Sequence, residues 1–255
     1  MAQPGAGSSV QPGAGPSAQS APAVDPEVAR LNALTFYACN DAIFQCGAVE
    51  LAFRLLGQCL YFHDSKIAVR ILETEGFPHG DAVYNKRFID GGLNFDEVAE
   101  LKGGTLLAWN PNHYVGEKAE FKDLYITAGP PGCGDLVHIR SCEPLLGDDE
   151  IMKNRKNPTA LKTRKNLLIG PTRVSEGVGA ESWPDEPNLY EEGGVQLYVG
   201  QWLPGEKAKR GKRILQYNYY HGCEGTNSLF RFALDTKNRY LYSTACGGLH
   251  YWTEA

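Results

Sequence analysis

The chain has 255 residues, of which 42% are hydrophobic, and its 30 acidic and 25 basic side chains give a formal net charge of −5. The hydrophobic fraction is sufficient to bury a core, which excludes a wholly disordered protein, and the mild negative charge argues against a dedicated nucleic-acid binder. Seven cysteines are too sparse for a small disulfide-stabilised scaffold, and their odd number leaves at least one thiol unpaired within the chain.

The first 24 residues form a predicted leader. They contain no charged side chain and consist almost entirely of Gly, Ala, Pro, Ser and Gln, a composition that predicts disorder. The leader lacks the basic and apolar stretches of a secretory signal, and no run of about 20 apolar residues predicts a membrane span. We therefore expect a cytoplasmic protein, or one exported without a classical signal. Residues 25–255 are predicted to form a single globular domain, with a potential subdivision near residues 148–166.

Residues 25–60 carry the pattern of an N-terminal helical segment. The tripeptide Asp25-Pro26-Glu27 is typical of a helix start, because its aspartate can accept hydrogen bonds from free amides, its proline is tolerated in the first turn and its glutamate complements the positive helix end. Apolar residues then recur at intervals of three or four, which is helical spacing. Gly47 is a potential break, so the pattern predicts one helix or two.

Beyond residue 65 the sequence changes to short runs rich in β-branched and aromatic residues, separated by Gly, Pro, Asn and Asp. This pattern predicts a mostly antiparallel β-rich sheet or barrel after the helical segment, and so an α+β fold. A short helix is predicted over Phe95–Leu101 and a hairpin turn over Asp235–Asn238. The predicted strands are Ile67–Leu72, Thr105–Trp109, Leu124–Thr127, Leu136–Ile139, Leu167–Ile169, Val195–Val199, Ile214–Tyr220, Leu229–Leu234 and Arg239–Tyr242.

Two basic segments, residues 152–165 and 207–213, are predicted to be exposed loops. The alternative is that they meet on a phosphate-bearing partner, an interaction whose affinity would fall steeply with salt. Neither segment contains the interleaved aromatic residues of a surface that stacks single strands. We therefore expect solvated loops and do not expect a nucleic-acid partner.

Two patterns in the middle of the chain suggest a ligand but do not meet its requirements. The glycine-rich stretch that begins at Gly129 has Asp135 where a phosphate-binding loop needs Lys and Ser or Thr, so a turn is predicted. Cys133, His138 and Cys142 follow a C-x4-H-x3-C spacing, and the last two would share a face of a strand. Structural zinc sites use tighter pairs, so ordinary buried thiols are the better interpretation. No metal or cofactor is predicted.

A cysteine nucleophile with a histidine base is the first functional hypothesis. Such a site needs a thiol near a helix start, where the dipole favours the thiolate, a histidine on a neighbouring strand and a polar group that orients the histidine. The chain offers Cys46, with Cys39 as the fallback, then His113 in the turn after a predicted strand and Asp123 at the start of the next. Over roughly residues 25–127 this order resembles the general layout of papain-like amidases and bacterial cell-wall amidases.

The resemblance implies attack on an amide carbonyl, with Cys46 as the nucleophile, His113 as the base and Asp123 as the orienting group. The resulting prediction is a thiol protease-like, cysteine-dependent amide hydrolase or deamidase, effector- or toxin-like, that acts on a protein or peptide substrate. The alternative is that Cys46 is a structural thiol, because it lies close to the apolar stripe of its predicted helix.

A non-enzymatic β-rich binding module is the second functional hypothesis. Eight of the 13 tyrosines follow residue 189, and three of the four tryptophans, Trp183, Trp202 and Trp252, lie in or just before the same region. Aromatic faces with hydrogen-bonding neighbours can form a site for a glycan or protein ligand, for which Trp202, Tyr219 and His221 are the candidates. The alternative for this region is a strand-rich core, because aromatic residues favour strands.

Overall fold

The structure, a computed structural model, describes residues 34–110, 122–156, 166–180, 183, 186–191, 193–211, 228–236 and 253–255. The predicted leader, the predicted helix start at residues 25–27 and the predicted strands Ile214–Tyr220 and Arg239–Tyr242 lie outside these residues. These features therefore stay predictions.

Ten strands in the described residues form one sheet, which is antiparallel in each of its pairings and does not close into a barrel. Their order across the sheet is β1-β7-β2-β3-β6-β5-β4, and β9, β8 and β10 extend from β3 as a branch. The strands are β1 (Phe36–Ala38), β2 (Cys59–Phe62), β3 (Ile67–Phe77), β4 (Leu106–Trp109), β5 (Asp123–Ala128), β6 (Asp135–Leu146), β7 (Val195–Gly200), β8 (Lys207–Gly211), β9 (Arg231–Asp235) and β10 (Thr253–Glu254).

The branch arises because β3 is long. Its 11 residues pair with β6 along one edge, whereas the other edge pairs first with β2 and then, over Glu73–Glu75, with β9. Register shifts interrupt the β3–β6 ladder around Glu73, and the adjacent residues Ile71 and Leu72 both pack into one hydrophobic core. Such a bulge redirects the side chains that follow it. Glu73 and Glu75 therefore lie on the face opposite to that core.

Most of the helices are short, and several begin at a side chain that accepts a hydrogen bond from a free amide. The helices are a 3-10 helix (Asp41–Phe44), α1 (Ala48–Arg54), α2 (Ala82–Tyr84), which continues as a π-helical turn (Asn85–Ile89), α3 (Phe95–Glu100), α4 (Asp148–Asn154) and α5 (Pro171–Val178). Asn40, Asp81 and Asn94 cap the 3-10 helix, α2 and α3 in this way. No helix in the described part of the chain is long and apolar enough to cross a membrane.

One face of the sheet, the apolar face, packs against α1, α4 and α5. Its core consists of buried aliphatic side chains from β2, β3, β5 and β6 together with those of the helices. Alternate residues of β3 confirm the orientation: the Thr74 hydroxyl donates to the Ala52 carbonyl of α1 at 2.6 Å, and a Cβ added at Gly76 would lie 2.8 Å from the Ala48 carbonyl oxygen. The backbone of α1 is thus in direct contact with β3.

The other face, the polar face, carries charged and aromatic side chains. Successive strand residues point to opposite faces, so the residues between the core positions of β3, β5 and β6 gather here. α2 and the π-helical turn cover part of this face through Tyr84, Arg87 and Phe88. The polar-face residues are Glu73, Glu75, Phe77, Leu107, Trp109, Asp123, Tyr125, Leu136, His138, Arg140 and Arg231.

The predicted combination of helices with a mostly antiparallel sheet is confirmed, but the sheet is open rather than a barrel. The predicted helical segment is different in the structure: within residues 34–60, β1 and the start of β2 are strands and the α-helix is limited to α1. Two glycines account for the limits of α1. Gly47 is its extended N-cap, and Gly57, with φ of 79°, turns the chain so closely against Trp202 that a Cβ would lie 2.7 Å from the ring.

The predicted basic loops are partly regular structure. Lys207–Gly211 is β8, in which Ala208 is buried against the core while Lys207 is exposed, and residues 152–154 complete α4. A run of charges marks the solvent-facing side of a strand or helix as well as a loop. Composition alone could not distinguish these cases.

Candidate active site

Two carboxylates lie side by side at the centre of the sheet. Glu73 and Glu75 flank Thr74 on β3, which places both on the polar face, and they are buried at 0% and 1% exposure. An ionised carboxylate loses its hydration on burial, and it stays ionised only if partners compensate for that loss. Each of these carboxylates therefore needs a cationic neighbour.

Arginines on the two adjacent strands are those neighbours. Arg231 of β9 donates from Nε to Glu73 Oε1 at 2.5 Å and also from Nη2 to the same oxygen. Arg140 of β6 donates from Nη1 to Glu75 Oε2 at 2.6 Å, and its Nε lies 3.7 Å from Glu73 Oε1. Burial lowers the pKa of the Arg231 guanidinium, and the negative charge of Glu73 opposes that shift.

The ionic contacts continue to β5 through a buried histidine. His138 Nε2 lies 3.2 Å from Asp123 Oδ2, and its Nδ1 lies 3.5 Å from Arg140 Nη1. Arg87 of the π-helical turn donates from Nη2 to Asp123 Oδ2 at 3.1 Å and to the Tyr125 hydroxyl at 2.8 Å. We call this line of side chains the charged row. Across the sheet it consists of Arg87, Asp123, His138, Arg140, Glu75, Glu73 and Arg231.

Burial sets the charge of the histidine in the row. It lowers the pKa of His138 to about 4, although the contact with Asp123 acts in the opposite direction. The imidazole is therefore neutral at neutral pH. The three carboxylates of the row then face three guanidinium groups, so the buried charges are balanced.

Aromatic rings border the charged row at the end of β3. Tyr125 stacks on His138 with 4.6 Å between ring centroids, and Phe77 packs edge to face on Phe88 at 5.2 Å. Trp109 packs against Phe88 and Tyr125 at 5.4 and 6.2 Å and, unlike those buried rings, is partly exposed. The carboxylate at position 75 thus lies between an ion-pair network and a group of rings.

A second ion cluster on β3 is separate from the charged row. Arg70 makes a two-point contact with Glu206, at 2.8 and 2.6 Å, and lies 3.7 Å from Glu143. Its Nε donates to the Gly57 carbonyl at 3.3 Å. These contacts connect β3 to the turn after α1 and to the segment before β8, so their role is to hold the branch of the sheet together.

The residues of the Cys-His-Asp hypothesis lie in different environments. Cys46 is half-buried in the bend before α1, with Sγ 3.5 Å from the Ile43 carbonyl oxygen, and burial raises the pKa of its thiol. Burial also raises the pKa of the Cys39 thiol, to about 11. Both thiols are protonated at neutral pH, which makes them poor nucleophiles. Asp123 belongs to the charged row, and His113 lies outside the described residues.

The candidate ligand-binding residues are also dispersed. Trp202 donates from Nε1 to the Leu56 carbonyl at 2.8 Å and packs edge to face on Phe53 at 5.8 Å. These contacts hold the turn after α1 against the core. Tyr219 and His221 lie outside the described residues.

Sequence reasoning missed the two central carboxylates. The predicted strand ended at Leu72, because acidic residues follow, whereas β3 continues to Phe77. A signal was present in the sequence: Glu73 and Glu75 alternate with Thr74 and Gly76 directly after the apolar pair Ile71-Leu72. Paired acids with a period of two indicate one face of a strand, and an acid in a buried strand indicates a functional or ion-pairing role.

Similarity to known proteins shows the family to which the chain belongs. No family model matches the chain. It is 32% identical to the DNA-3-methyladenine glycosylase of Arabidopsis thaliana over 194 residues, which cover 75% of this chain and 69% of the plant protein. The chain belongs to the DNA-3-methyladenine glycosylase family. A shorter match to a putative 3-methyladenine DNA glycosylase of Nitrosococcus oceani is 37% identical over 78 residues, or 30% of this chain and 36% of the bacterial protein.

Membership of this family overturns the predicted function. A glycosylase is a hydrolase of N-glycosidic bonds, so the cysteine-dependent amide hydrolase or deamidase, its thiol protease-like mechanism and the effector role are wrong. The alternative of a non-enzymatic binding module is wrong for the same reason. The search for a nucleophile passed over the buried carboxylates, which carry the charge at the centre of the sheet.

The predicted partners are wrong as well. A protein or peptide substrate and a glycan ligand were expected, and nucleic acid was not, whereas both relatives are named for DNA. The argument from net charge failed because −5 is a sum over the whole chain. DNA responds to the local field of the surface that it contacts, which a sum cannot report.

Proposed function

We propose that this protein is a DNA glycosylase that removes 3-methylated adenine from DNA by hydrolysing the N-glycosidic bond. The observation that carries the proposal is the 32% identity with the Arabidopsis DNA-3-methyladenine glycosylase over 75% of this chain. The buried carboxylates of β3 support it, because they supply the kind of group that the reaction needs.

Hydrolysis of this bond requires a base for the attacking water more than an acid for the leaving group. Methylation at N3 gives the adenine ring a positive charge, so the ring departs as a neutral molecule with the electron pair of the bond between C1′ and N9. The water oxygen forms the new bond to C1′, and its proton passes to a basic side chain. A carboxylate near C1′ accepts that proton and stabilises the positive charge that develops on the sugar.

Glu75 is better placed than Glu73 for that role. Glu73 accepts two hydrogen bonds from Arg231, which hold it as half of a buried ion pair. Glu75 lies opposite His138 in the sheet register and next to Phe77, on the side of the aromatic rings. A glycosylase extrudes its target nucleotide and stacks the base against such rings. We therefore assign the general base to Glu75 and a supporting role to Glu73.

Release of free base from methylated duplex DNA tests the proposal. The wild type should release 3-methyladenine, and Glu75→Gln should lower kcat by at least about 100-fold because the water loses its proton acceptor. The matched variant Glu73→Gln, two residues away on the same face of β3, should lower kcat less. Circular dichroism and thermal melts of both variants control for folding. A wild type that releases no base, or a folded Glu75→Gln that retains full turnover, contradicts the proposal.

DNA binding by the Glu75→Gln variant provides an independent check. A protein that neutralises several phosphates releases their counterions, so its affinity falls steeply as salt rises. Fluorescence anisotropy with a labelled methylated duplex between low and physiological salt would measure this dependence. A flat response would argue against DNA as the substrate.

A further inference from the structure

We propose that Asp123 and His138 are positioning residues, which together hold Arg140 in the orientation in which it contacts Glu75. The inference rests on the proposed function, because it takes Glu75 as the base. It gives a role to a buried histidine and a buried acid that the hydrolysis does not itself require.

The four side chains form one line across three adjacent strands. Asp123 is on β5, His138 and Arg140 are on β6, and Glu75 is on β3. The successive contacts measure 3.2 Å, 3.5 Å and 2.6 Å. All four side chains are at most 3% exposed. His138 is also the cross-strand partner of Glu75, but its polar contacts are with Arg140 and Asp123, so we place their effect on the reaction in the position of that guanidinium.

The donors and acceptors determine the state of the imidazole. A guanidinium only donates hydrogen bonds, and a carboxylate only accepts them. His138 Nδ1 faces Arg140 and must therefore be the unprotonated nitrogen, whereas Nε2 faces Asp123 and must carry the hydrogen. The neutral Nε2–H tautomer matches the charge of both neighbours, and at 3.2 Å a small rotation of the imidazole would align its N–H with the Asp123 carboxylate. A protonated imidazole would direct its second N–H at a cation.

The surroundings keep the imidazole in this place and state. Burial, opposed by the Asp123 contact, lowers the pKa of His138 to about 4. Tyr125 stacks on the imidazole with 18° between the ring planes, which prevents rotation away from Arg140. Arg87 donates to Asp123 at 3.1 Å and so holds the far end of the line.

Apolar and aromatic side chains occupy the polar-face positions around His138. Leu136 is the preceding polar-face residue of β6, and it packs in the same cluster as Phe77 and Tyr125. Replacement of a buried ionic group by an apolar one of similar volume is often neutral or stabilising. A buried His138–Asp123 pair beside a catalytic carboxylate is therefore explained by the site that it supports.

Three variants at position 138 separate positioning from packing. His138→Asn places an amide oxygen near the position of Nδ1 and retains an acceptor for Arg140. His138→Gln reaches toward Asp123 but lacks that acceptor. His138→Leu fills the space and offers neither contact.

With methylated duplex DNA as substrate, His138→Leu and His138→Gln should lower kcat about 10- to 100-fold while KM changes less than about twofold. The acid limb of the kcat–pH profile should move up by about one pH unit, because a displaced Arg140 stabilises the Glu75 carboxylate less. His138→Asn should restore most of kcat and return the limb toward the wild-type position. The other charged groups that face Glu75 (Arg140, Arg231 and Glu73) are unchanged in all three variants.

Carbon-13 NMR of the glutamate carboxyl groups gives a readout that does not depend on turnover. The resonance absent from Glu75→Gln assigns Glu75, and the pH at which it titrates should rise in His138→Leu and stay near the wild-type value in His138→Asn. An unchanged titration and pH profile in His138→Leu, or an Asn variant no better than the Leu variant, overturns the proposal. If His138→Leu does not fold, the Gln and Asn variants make the same comparison. If the wild-type protein releases no base, the glycosylase function is refuted. The NMR titration of Glu75 would still test whether His138 positions Arg140.

Discussion

The two faces of one sheet are stabilised by different interactions. On the apolar face, aliphatic side chains of β3, β5 and β6 pack under α1 and α5, and this burial is non-directional. On the polar face, the same strands present the charged row, in which three carboxylates and three guanidinium groups meet at defined distances. A deleted methylene leaves a small cavity, whereas a deleted charge leaves its partner buried and unpaired. The candidate active site lies on the face where each charge depends on a few specific neighbours.

Removal of one arginine from the charged row should have the largest effect on stability. Arg231→Met leaves the buried Glu73 side chain without its two hydrogen bonds and with only the 3.7 Å contact to Arg140, which should lower the free energy of unfolding by about 3–5 kcal/mol. Urea unfolding followed by circular dichroism measures this change. The control is the double variant Glu73→Gln/Arg231→Met, which removes both charges and should recover much of the loss. A double variant as unstable as the single one would show that the charge left alone is not the cause.

Truncation of a side chain on the apolar face should destabilise the protein less than loss of Arg231 and should leave kcat nearly unchanged. Leu51 of α1 is fully buried in the core against β3 and β6, and Leu51→Ala should lower the free energy of unfolding by roughly 2–4 kcal/mol. At temperatures well below its melting point the variant should retain a kcat within about twofold of wild type. A large loss of turnover in the folded variant would mean that the two faces are coupled.

Mild acid should weaken the polar face through His138. The unfolded chain takes up this proton near pH 6.5, whereas burial lowers the folded pKa to about 4, so the unfolded state binds more protons between these values. This contribution is fully present above pH 6.5 and is lost as pH falls toward 4, by roughly 3 kcal/mol at most. Urea unfolding at pH 7 and pH 4.5 should show a smaller acid loss in His138→Leu than in wild type. If both proteins lose the same unfolding free energy between pH 7 and pH 4.5, the acid sensitivity arises from the carboxylates instead.

The cysteine before α1 should matter least. Cys46 is half-buried with a raised pKa, and no thiol belongs to the charged row. Cys46→Ser should change base release by less than about twofold and stability by less than about 1 kcal/mol, as expected for a substitution near the surface. A loss of turnover above tenfold in this variant would show that the thiol takes part in the reaction.

Several strands could be predicted because their pattern is local. The structure extends the predicted strand Leu124–Thr127 by one residue at each end and Val195–Val199 by one. Both contain alternating or continuous apolar residues that any short window detects. The predicted helix at Phe95–Leu101 is confirmed by α3, whose N-cap Asn94 accepts a hydrogen bond from Asp96 N at 3.2 Å.

The long central strands could not be predicted in full. β3 continues through Glu73 and Glu75, and β6 continues through Arg140 to Leu146, because these charges compensate one another across the ladder. The partners Glu75 and Arg140 are 65 residues apart in the chain. Without its partner, each charge argues against a buried strand. The predicted strand Leu167–Ile169 shows the opposite error, since it contributes only an isolated bridge from Ile169 to Ser141.

The bulge in the β3–β6 ladder explains a further difference at the site. Strict alternation would place His138 and Cys142 on one face of β6, as the sequence analysis assumed. The structure buries Cys142 in the core of the apolar face and His138 in the charged row. A single register shift reverses the side on which every following side chain lies, and its position depends on both strands.

The sequence by itself determined where several strands and a helix form, because the spacing of hydrophobic residues and the residues that make turns are local signals that span only a few positions. It also singled out Asp123, which lies in the charged row with partners other than those predicted. Only the tertiary structure decided which charges meet: Arg87 reaches Asp123 across 36 residues and Arg231 reaches Glu73 across 158. No local pattern encodes such pairs, because they exist only once the strands that carry them lie side by side. The charged row is therefore a property of strand order and register.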